Sequence, residues 1–168
     1  MVNLITASTK EIANVGFFKV AILVPIIEEI LFRLILKPSK INITIFSLFF
    51  SFYMLNGNFT HIDFDKISTY VSFFLSVCIG CIFYLKGGYY IDFIQINIKY
   101  FVWISIILFG LAHVSNISPL YYQLILFYPV FIIPQLIIGY FITNIRLKFN
   151  FFWGVLLHCL VNAINVFL

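Results

Sequence analysis

The chain has 168 residues, of which 63% are hydrophobic and only 10% are charged, and its mean hydropathy is +1.10. An ordinary soluble domain carries about 25% charged residues, so this composition excludes a soluble domain and predicts an integral membrane protein. The net charge of +4 comes from basic residues placed singly or in pairs near the ends of apolar segments, which is typical of membrane orientation and argues against nucleic-acid binding.

Apolar segments separated by short polar connections predict an all-α, polytopic transmembrane helix bundle of about six spans. At this length the bundle forms a single domain, residues 1–168. The second segment is shorter than the ~20 residues of a full crossing. The predicted spans run from about Asn14 to Leu36, Ile41 to Leu55, Ile67 to Leu85, Lys99 to Ser115, Pro119 to Thr143 and Phe151 to Leu168.

The first segment carries a glutamate pair, Glu28-Glu29, and an arginine, Arg33, inside a long apolar run. A charge near the middle of a lipid-spanning helix costs at least a few kcal/mol, so three together indicate a function. Glu29 and Arg33 are spaced i, i+4 with the acid first, which predicts a supporting ion pair. Glu28 points to another side of the helix, where its carboxylate is suited to act as a general base on water.

Two further polar motifs lie in apolar segments downstream. His113 ends the sequence Phe109-Gly-Leu-Ala-His, and His158 and Asn162 share one helix face through their i, i+4 spacing. Imidazole and carboxamide groups both donate hydrogen bonds, so the second pair can hold a developing oxyanion or fix a water. A membrane histidine that only bonds a neighbouring helix is the structural alternative for each motif.

The basic residues between the segments predict which side of the membrane the site faces. By the positive-inside rule their side is cytoplasmic. At 1.5 Å per residue, Glu28 lies ~14 Å, His158 ~12 Å and His113 ~21 Å from that side, so all three lie near the middle of a ~30 Å core. The motifs are therefore expected to form one cavity that opens to the cytoplasm or laterally from the inner leaflet. The basic residues on this side are Lys37, Lys40, Lys86, Lys99, Arg146 and Lys148.

In order and spacing, these motifs resemble those of the CAAX protease and bacteriocin-processing (CPBP, or Abi) intramembrane proteases, a family that includes prenyl-protein proteases. The matching residues are Glu28-Glu29-Ile-Leu-Phe-Arg33, Phe109-Gly-Leu-Ala-His113 and His158-Cys-Leu-Val-Asn162. The resemblance covers Val20 to the C-terminus. One departure is the long separation between the first two motifs, which is greater than the family pattern by about a hairpin of two spans.

The resemblance implies an endopeptidase of a bacterial cell membrane that cleaves a prenylated, hydrophobic or leader-type peptide beside membrane lipid. Glu28, with His113, would activate water, and His158 and Asn162 would stabilise the tetrahedral intermediate. No cofactor is expected to be obligatory. A zinc ion held by Glu28, His113 and His158 stays open, although the chain has no H-E-x-x-H signature.

Two other classes of function fit parts of the sequence. Intramembrane glutamate and histidine also serve proton relays, so a small proton- or ion-coupled transporter is one alternative, although no internal repeat is visible. A bacteriocin self-immunity or regulatory membrane protein that acts by binding is the other.

The C-x-x-C formed by Cys78 and Cys81 lies in an apolar segment, where thiols stay protonated, and Cys159 follows His158. All three cysteines are predicted to be packing residues.

Overall fold

The computed structural model of the protein describes residues 16–57, 62–116 and 126–167. All regular secondary structure in these ranges is helical, so the predicted all-α class is confirmed. The seven α-helices found there are α1 (Val24–Arg33), α2 (Lys40–Asn56), α3 (Ile67–Leu85), α4 (Gly87–Ile96), α5 (Ile98–Ala112), α6 (Tyr128–Lys148) and α7 (Phe151–Phe167).

The prediction of six full spans is wrong. Among the described residues only α3, with 19 residues, and α6, with 21, are long and apolar enough to cross a membrane, and α4 with α5 adds a third candidate if the bent pair is one span. A helix needs about 20 residues to cross a ~30 Å core. Helices α1, α2 and α7 have 10, 17 and 17 residues. Hydropathy therefore located the apolar segments but overestimated how many are full crossings.

The first predicted span combines three kinds of helix. A π-helical turn, Lys19–Leu23, leads into α1, and a 3-10 turn, Leu34–Leu36, follows it. Its predicted first residues, Asn14 and Val15, lie outside the described residues, as do residues 119–125 of the predicted fifth span. The connection between the predicted third and fourth spans is mostly helix α4, and α5 follows at an angle of 86°.

The chain divides into two compact units, one formed by Met1–Glu29 with Ser105–Leu168 and the other by Ile30–Ile104. In the described part of the second unit, α2 packs along α3. Helix α3 buries a stripe of small residues that includes Ser72, Ser76 and Gly80. A Cβ on Gly80 would lie 3.6 Å from Leu48 Cβ, which is ordinary contact. Small residues of this kind allow membrane helices to approach closely.

Cys78 and Cys81 lie away from that stripe, and both thiols are exposed. The prediction that they are packing residues is therefore wrong within this chain. Two phenylalanines on the same helix are also exposed: Phe73 is 57% and Phe74 is 67% accessible. A surface of this chemistry is suited to lipid contact rather than to water.

In the first unit, the π-helical turn and α6 both pack against α7. The C-terminal part of α5 also lies close to α6. A Cβ on Gly110 would come 2.5 Å from Leu136 Cδ2 and 3.0 Å from its Cγ, so only glycine fits there without movement of the leucine. This close approach brings Phe109 at the end of α5, and His113 at the start of the 3-10 turn His113–Asn116 that follows, into the same unit as α7.

Candidate active site

His158 lies at the centre of a cluster of ionisable side chains. Its side chain is 1% exposed, and its two ring nitrogens face two different carboxylates. Nδ1 lies 2.9 Å from Glu29 Oε1, and Nε2 lies 3.3 Å from Glu28 Oε2. The glutamates differ in exposure, because the Glu29 side chain is fully buried whereas that of Glu28 is 21% exposed. The neighbouring glutamates of α1 thus bind one imidazole of α7 from two sides.

Hydrogen-bond chemistry limits where the protons can be. A carboxylate only accepts, so the short contact to Glu29 indicates that Nδ1 of His158 carries a proton and donates it. Nε2 lies within ion-pair distance of Glu28 Oε2, at 3.3 Å. This separation is suited to transfer of a proton between Glu28 and His158, and that transfer stays a prediction.

Phe109 places the second histidine beside this cluster. Its ring is fully buried and meets the His158 ring edge-on, with centroids 5.4 Å apart, while the His113 ring lies 4.5 Å away. Because both imidazoles contact the same phenyl ring at these separations, their centroids lie within about 10 Å of each other. The expected convergence of His113 and His158 therefore holds through Phe109. Direct contact between His113 and Glu28 stays a prediction.

The tautomer of His113 follows from its backbone contact. Nδ1 lies 2.8 Å from the carbonyl oxygen of Phe109, one helical turn earlier. A carbonyl only accepts, so Nδ1 donates and the neutral ring carries its lone pair on Nε2. His113 is half-buried at the end of α5. Its second ring nitrogen is consequently an acceptor, which suits it to orient a water or a substrate N–H group.

Asn162 contacts the backbone of the π-helical turn. Its Nδ2 donates to the carbonyl oxygen of Val20 over 3.2 Å. In the π register, each N–H donates to the carbonyl five residues earlier, as the N–H of Val24 does to the carbonyl of Lys19. The donor for the Val20 carbonyl would therefore be residue 25. That residue is Pro25, which has no N–H, so the asparagine side chain supplies the donor instead. The sequence predicted that Asn162 donates a hydrogen bond to an oxyanion. That role stays a prediction and belongs to the second N–H of the amide.

Arg146 is a site residue that the sequence analysis assigned only to membrane orientation. It is 4% exposed, its guanidinium lies 5.3 Å from the centroid of the Phe151 ring, and it interacts electrostatically with Glu29. A buried carboxylate needs a nearby cation, and Arg146 supplies one from α6. Since Arg146 is distant from Glu29 in sequence, only the requirement for charge balance could have suggested it.

Gly154 explains how α7 approaches these charges. A Cβ at this position would lie 3.5 Å from Glu29 Oε2 and 3.8 Å from Arg146 Cβ. Larger side chains would therefore meet the carboxylate directly. Gly154, His158 and Asn162 follow one another at i, i+4 and i+8, so they share the face of α7 that is directed at α1 and the π-helical turn. In the sequence, the glycine that lies one helical turn before the His158 and Asn162 motif was the signal that could have indicated this close approach.

Arg33, the predicted ion-pair partner of Glu29, is fully buried in α1. Its spacing from Glu29 within this α-helix is as predicted. Arg33 belongs to the other compact unit, Ile30–Ile104, and the ion pair itself stays a prediction.

The residues proposed as zinc ligands do not fit a metal site. In the described ranges, no group of three or more histidine, cysteine, aspartate and glutamate side chains is placed to hold a metal ion. Glu28 and His158 are adjacent, but His113 contacts the Phe109 ring and has its Nδ1 directed at a carbonyl. The zinc set of Glu28, His113 and His158 is therefore not formed, and no step of the proposed chemistry uses a metal.

The chain shows no significant match to any protein-family model, curated protein or solved structure.

Proposed function

We propose that the chain is a CPBP-type intramembrane endopeptidase that hydrolyses a peptide bond in a prenylated, hydrophobic or leader-type peptide. The supporting observation is the placement of the His158 ring between Glu28 and Glu29, with Nε2 on the side of the more accessible carboxylate. Buried carboxylate and imidazole groups within hydrogen-bond distance are the components of general acid–base catalysis. Glu28 is the member of the cluster that water can reach.

In the first step of the proposed reaction, the carboxylate of Glu28 removes a proton from a water molecule. The resulting hydroxide oxygen forms a bond to the carbonyl carbon of the substrate, and the C=O π electrons move onto the carbonyl oxygen. Hydrogen-bond donors aimed at that oxyanion lower the barrier. Protonated His158 and the second N–H of Asn162 are the donors assigned here, and His113 Nε2 accepts a hydrogen bond from the incoming water.

In the second step, the tetrahedral intermediate collapses and the C–N bond breaks. The proton held by Glu28 moves to the leaving nitrogen, so the amine departs neutral and Glu28 returns to its carboxylate form. Glu29 does not titrate in this scheme, because its hydrogen bond to Nδ1 orients the His158 ring. Arg146 balances the charge of Glu29, so both are positioning residues.

The same proposal places the chain in a bacterial cell membrane, anchored by α3 and α6, with its site open to the cytoplasmic side. The apolar length of these two helices and the exposed aromatic surface support membrane insertion. The lysines between the helices support the orientation. A peptide substrate with a lipid or an apolar segment would reach Glu28 from the inner leaflet.

The test is reconstitution of the purified chain in vesicles with a panel of prenylated, leader-type and unmodified hydrophobic peptides, with products identified by mass spectrometry. We expect cleavage of at least one peptide class by the wild type and a loss of about 100-fold or more in Glu28→Gln. Asp65→Asn is the matched control, because it removes a carboxylate that is exposed and lies before α3. If no peptide is cleaved and the vesicles show a proton flux that depends on Glu28, the function is that of a transporter rather than a peptidase.

A further inference from the structure

A cavity lies in the second unit, and none of its lining residues is assigned to peptide hydrolysis. It has a volume of about 560 Å³ and is formed by the segment before α2 together with the bend between α4 and α5. Lys37, Ser39, Asn42 and Gln95 contribute polar side chains to its lining, and Leu36 and Ile98 are among the apolar residues. We call it the lysine cavity. Its volume is within the range of small-molecule binding sites.

The wall of the cavity before α2 is held by its own hydrogen bonds. Asn42 Nδ2 donates to the carbonyl oxygen of Lys37 over 2.7 Å, and the Asn42 backbone N–H donates to Ser39 Oγ over 3.1 Å. These contacts fix the chain between the 3-10 turn and α2. A preformed wall lowers the entropy cost of ordering when a ligand binds.

The segments that form the cavity carry more lysines than acidic residues. Lys37 lines it, and Lys99 follows the lining residue Ile98. Lys40 packs its aliphatic stem against the start of α4, because a Cβ on Gly87 would lie 2.8 Å from Lys40 Cγ. Asp92 on α4 is the acidic residue in this part of the chain, so positive charge predominates in the elements that form the cavity. The cavity is therefore suited to an anion.

The apolar lining indicates what kind of anion. A free phosphate ion needs only charged and polar partners, whereas Leu36 and Ile98 offer apolar surface inside the same cavity. A ligand that joins a phosphate to a hydrophobic group uses both. In the proposed orientation these lysines also lie on the cytoplasmic side, where anionic lipid headgroups are found.

We propose that the lysine cavity binds the phosphate-bearing headgroup of an anionic membrane lipid, with the start of an acyl chain against Leu36 and Ile98. The proposal rests on membrane insertion but not on peptide hydrolysis, so its test uses binding alone. Lys37 is the cation assigned to the phosphate. Ser39 and Gln95 are the neutral groups that face the headgroup.

The experiment titrates the detergent-solubilised protein with short-chain phosphatidylglycerol, short-chain phosphatidylcholine and inorganic phosphate, and follows binding by calorimetry. The variant is Lys37→Gln, and the matched control is Lys148→Gln, which removes an exposed lysine from the end of α6. We expect phosphatidylglycerol to bind best. Lys37→Gln should weaken it about fivefold, as expected for one lysine near an anionic headgroup, while Lys148→Gln should leave it unchanged.

Equal binding of phosphatidylglycerol and phosphatidylcholine would overturn the proposal, as would equal effects of Lys37→Gln and Lys148→Gln. Inorganic phosphate binding as tightly as phosphatidylglycerol would show that the ligand is a free anion, and would also overturn it. If Lys37→Gln does not fold, Gln95→Leu takes its place, because it removes a lining amide without changing the charge. Loss of one hydrogen bond should weaken phosphatidylglycerol binding about two- to tenfold, and an unchanged affinity would refute the proposal.

Discussion

Replacing Glu29 by glutamine should destabilise the protein far more than the same change at Glu28. Glu29 is fully buried and accepts a 2.9 Å hydrogen bond from His158. The Glu29→Gln side chain would keep an acceptor but lose the charge, which costs about 1 kcal/mol because charge-assisted bonds contribute more than neutral ones. Arg146 would lose its buried counter-charge, at a further cost of about 1 kcal/mol or more. The expected loss is about 2 kcal/mol, the sum of these two costs.

Glu28 has a more exposed side chain and a longer contact, 3.3 Å, to the same imidazole. Its neutralisation also removes the repulsion between two adjacent carboxylates, so Glu28→Gln should change the free energy of unfolding by less than about 1 kcal/mol. The assay is reversible unfolding in mixed detergent micelles, followed by circular dichroism for the wild type and both variants. A loss of about 2 kcal/mol would lower the ratio of folded to unfolded protein about 30-fold. Equal losses in the two variants would refute this division between a structural and a catalytic glutamate.

Three further predictions use other parts of the chain. Gly110→Ala should cost about 1–3 kcal/mol of stability through its clash with Leu136, and adding Leu136→Ala should recover part of that loss in the same unfolding assay. The Lys66 side chain holds the pKa of Asp63 below its ordinary value, so Lys66→Gln should raise that pKa in an NMR titration. The stabilisation that this variant removes is present above the ordinary carboxyl pKa and is lost as pH falls through the lowered pKa of the folded protein. Cysteines introduced near Glu28 in a background without the native cysteines should react with a membrane-impermeant thiol reagent from the cytoplasmic side, and labelling only from the outer side would contradict the orientation.

The residues of the candidate site could be found from sequence because each is a polar group in an apolar segment. Glu28, His113 and His158 are costly in a lipid-spanning segment unless they have a function or a partner, and their calculated depths agreed. The contact partners of these residues could not be predicted in the same way. Sequence spacing assigned Glu29 to Arg33, whereas the contacts of Glu29 in the structure include His158, which lies far away in the chain.

The number of spans could not be obtained from hydropathy because helix breaks depend on local hydrogen bonds. The bend at Asn97 separates α4 from α5, although the two helices together are long and apolar enough to cross a membrane. Pro25 was visible in the sequence, but its consequence, an Asn162 amide bonded to the Val20 carbonyl, depends on the π register of the preceding turn. Such contacts arise only when the segments pack together.

The most direct test of the proposed mechanism is the fate of the water oxygen during cleavage. A peptide hydrolysed in H₂¹⁸O by wild-type protein should carry one ¹⁸O atom in its new carboxyl group, formed without a covalent peptide–enzyme intermediate. The rate should fall about 100-fold or more in Glu28→Gln while the free energy of unfolding stays near that of the wild type. Cleavage by Glu28→Gln at the wild-type rate, or trapping of an acyl-enzyme, would contradict the assignment of Glu28 as the base that activates water.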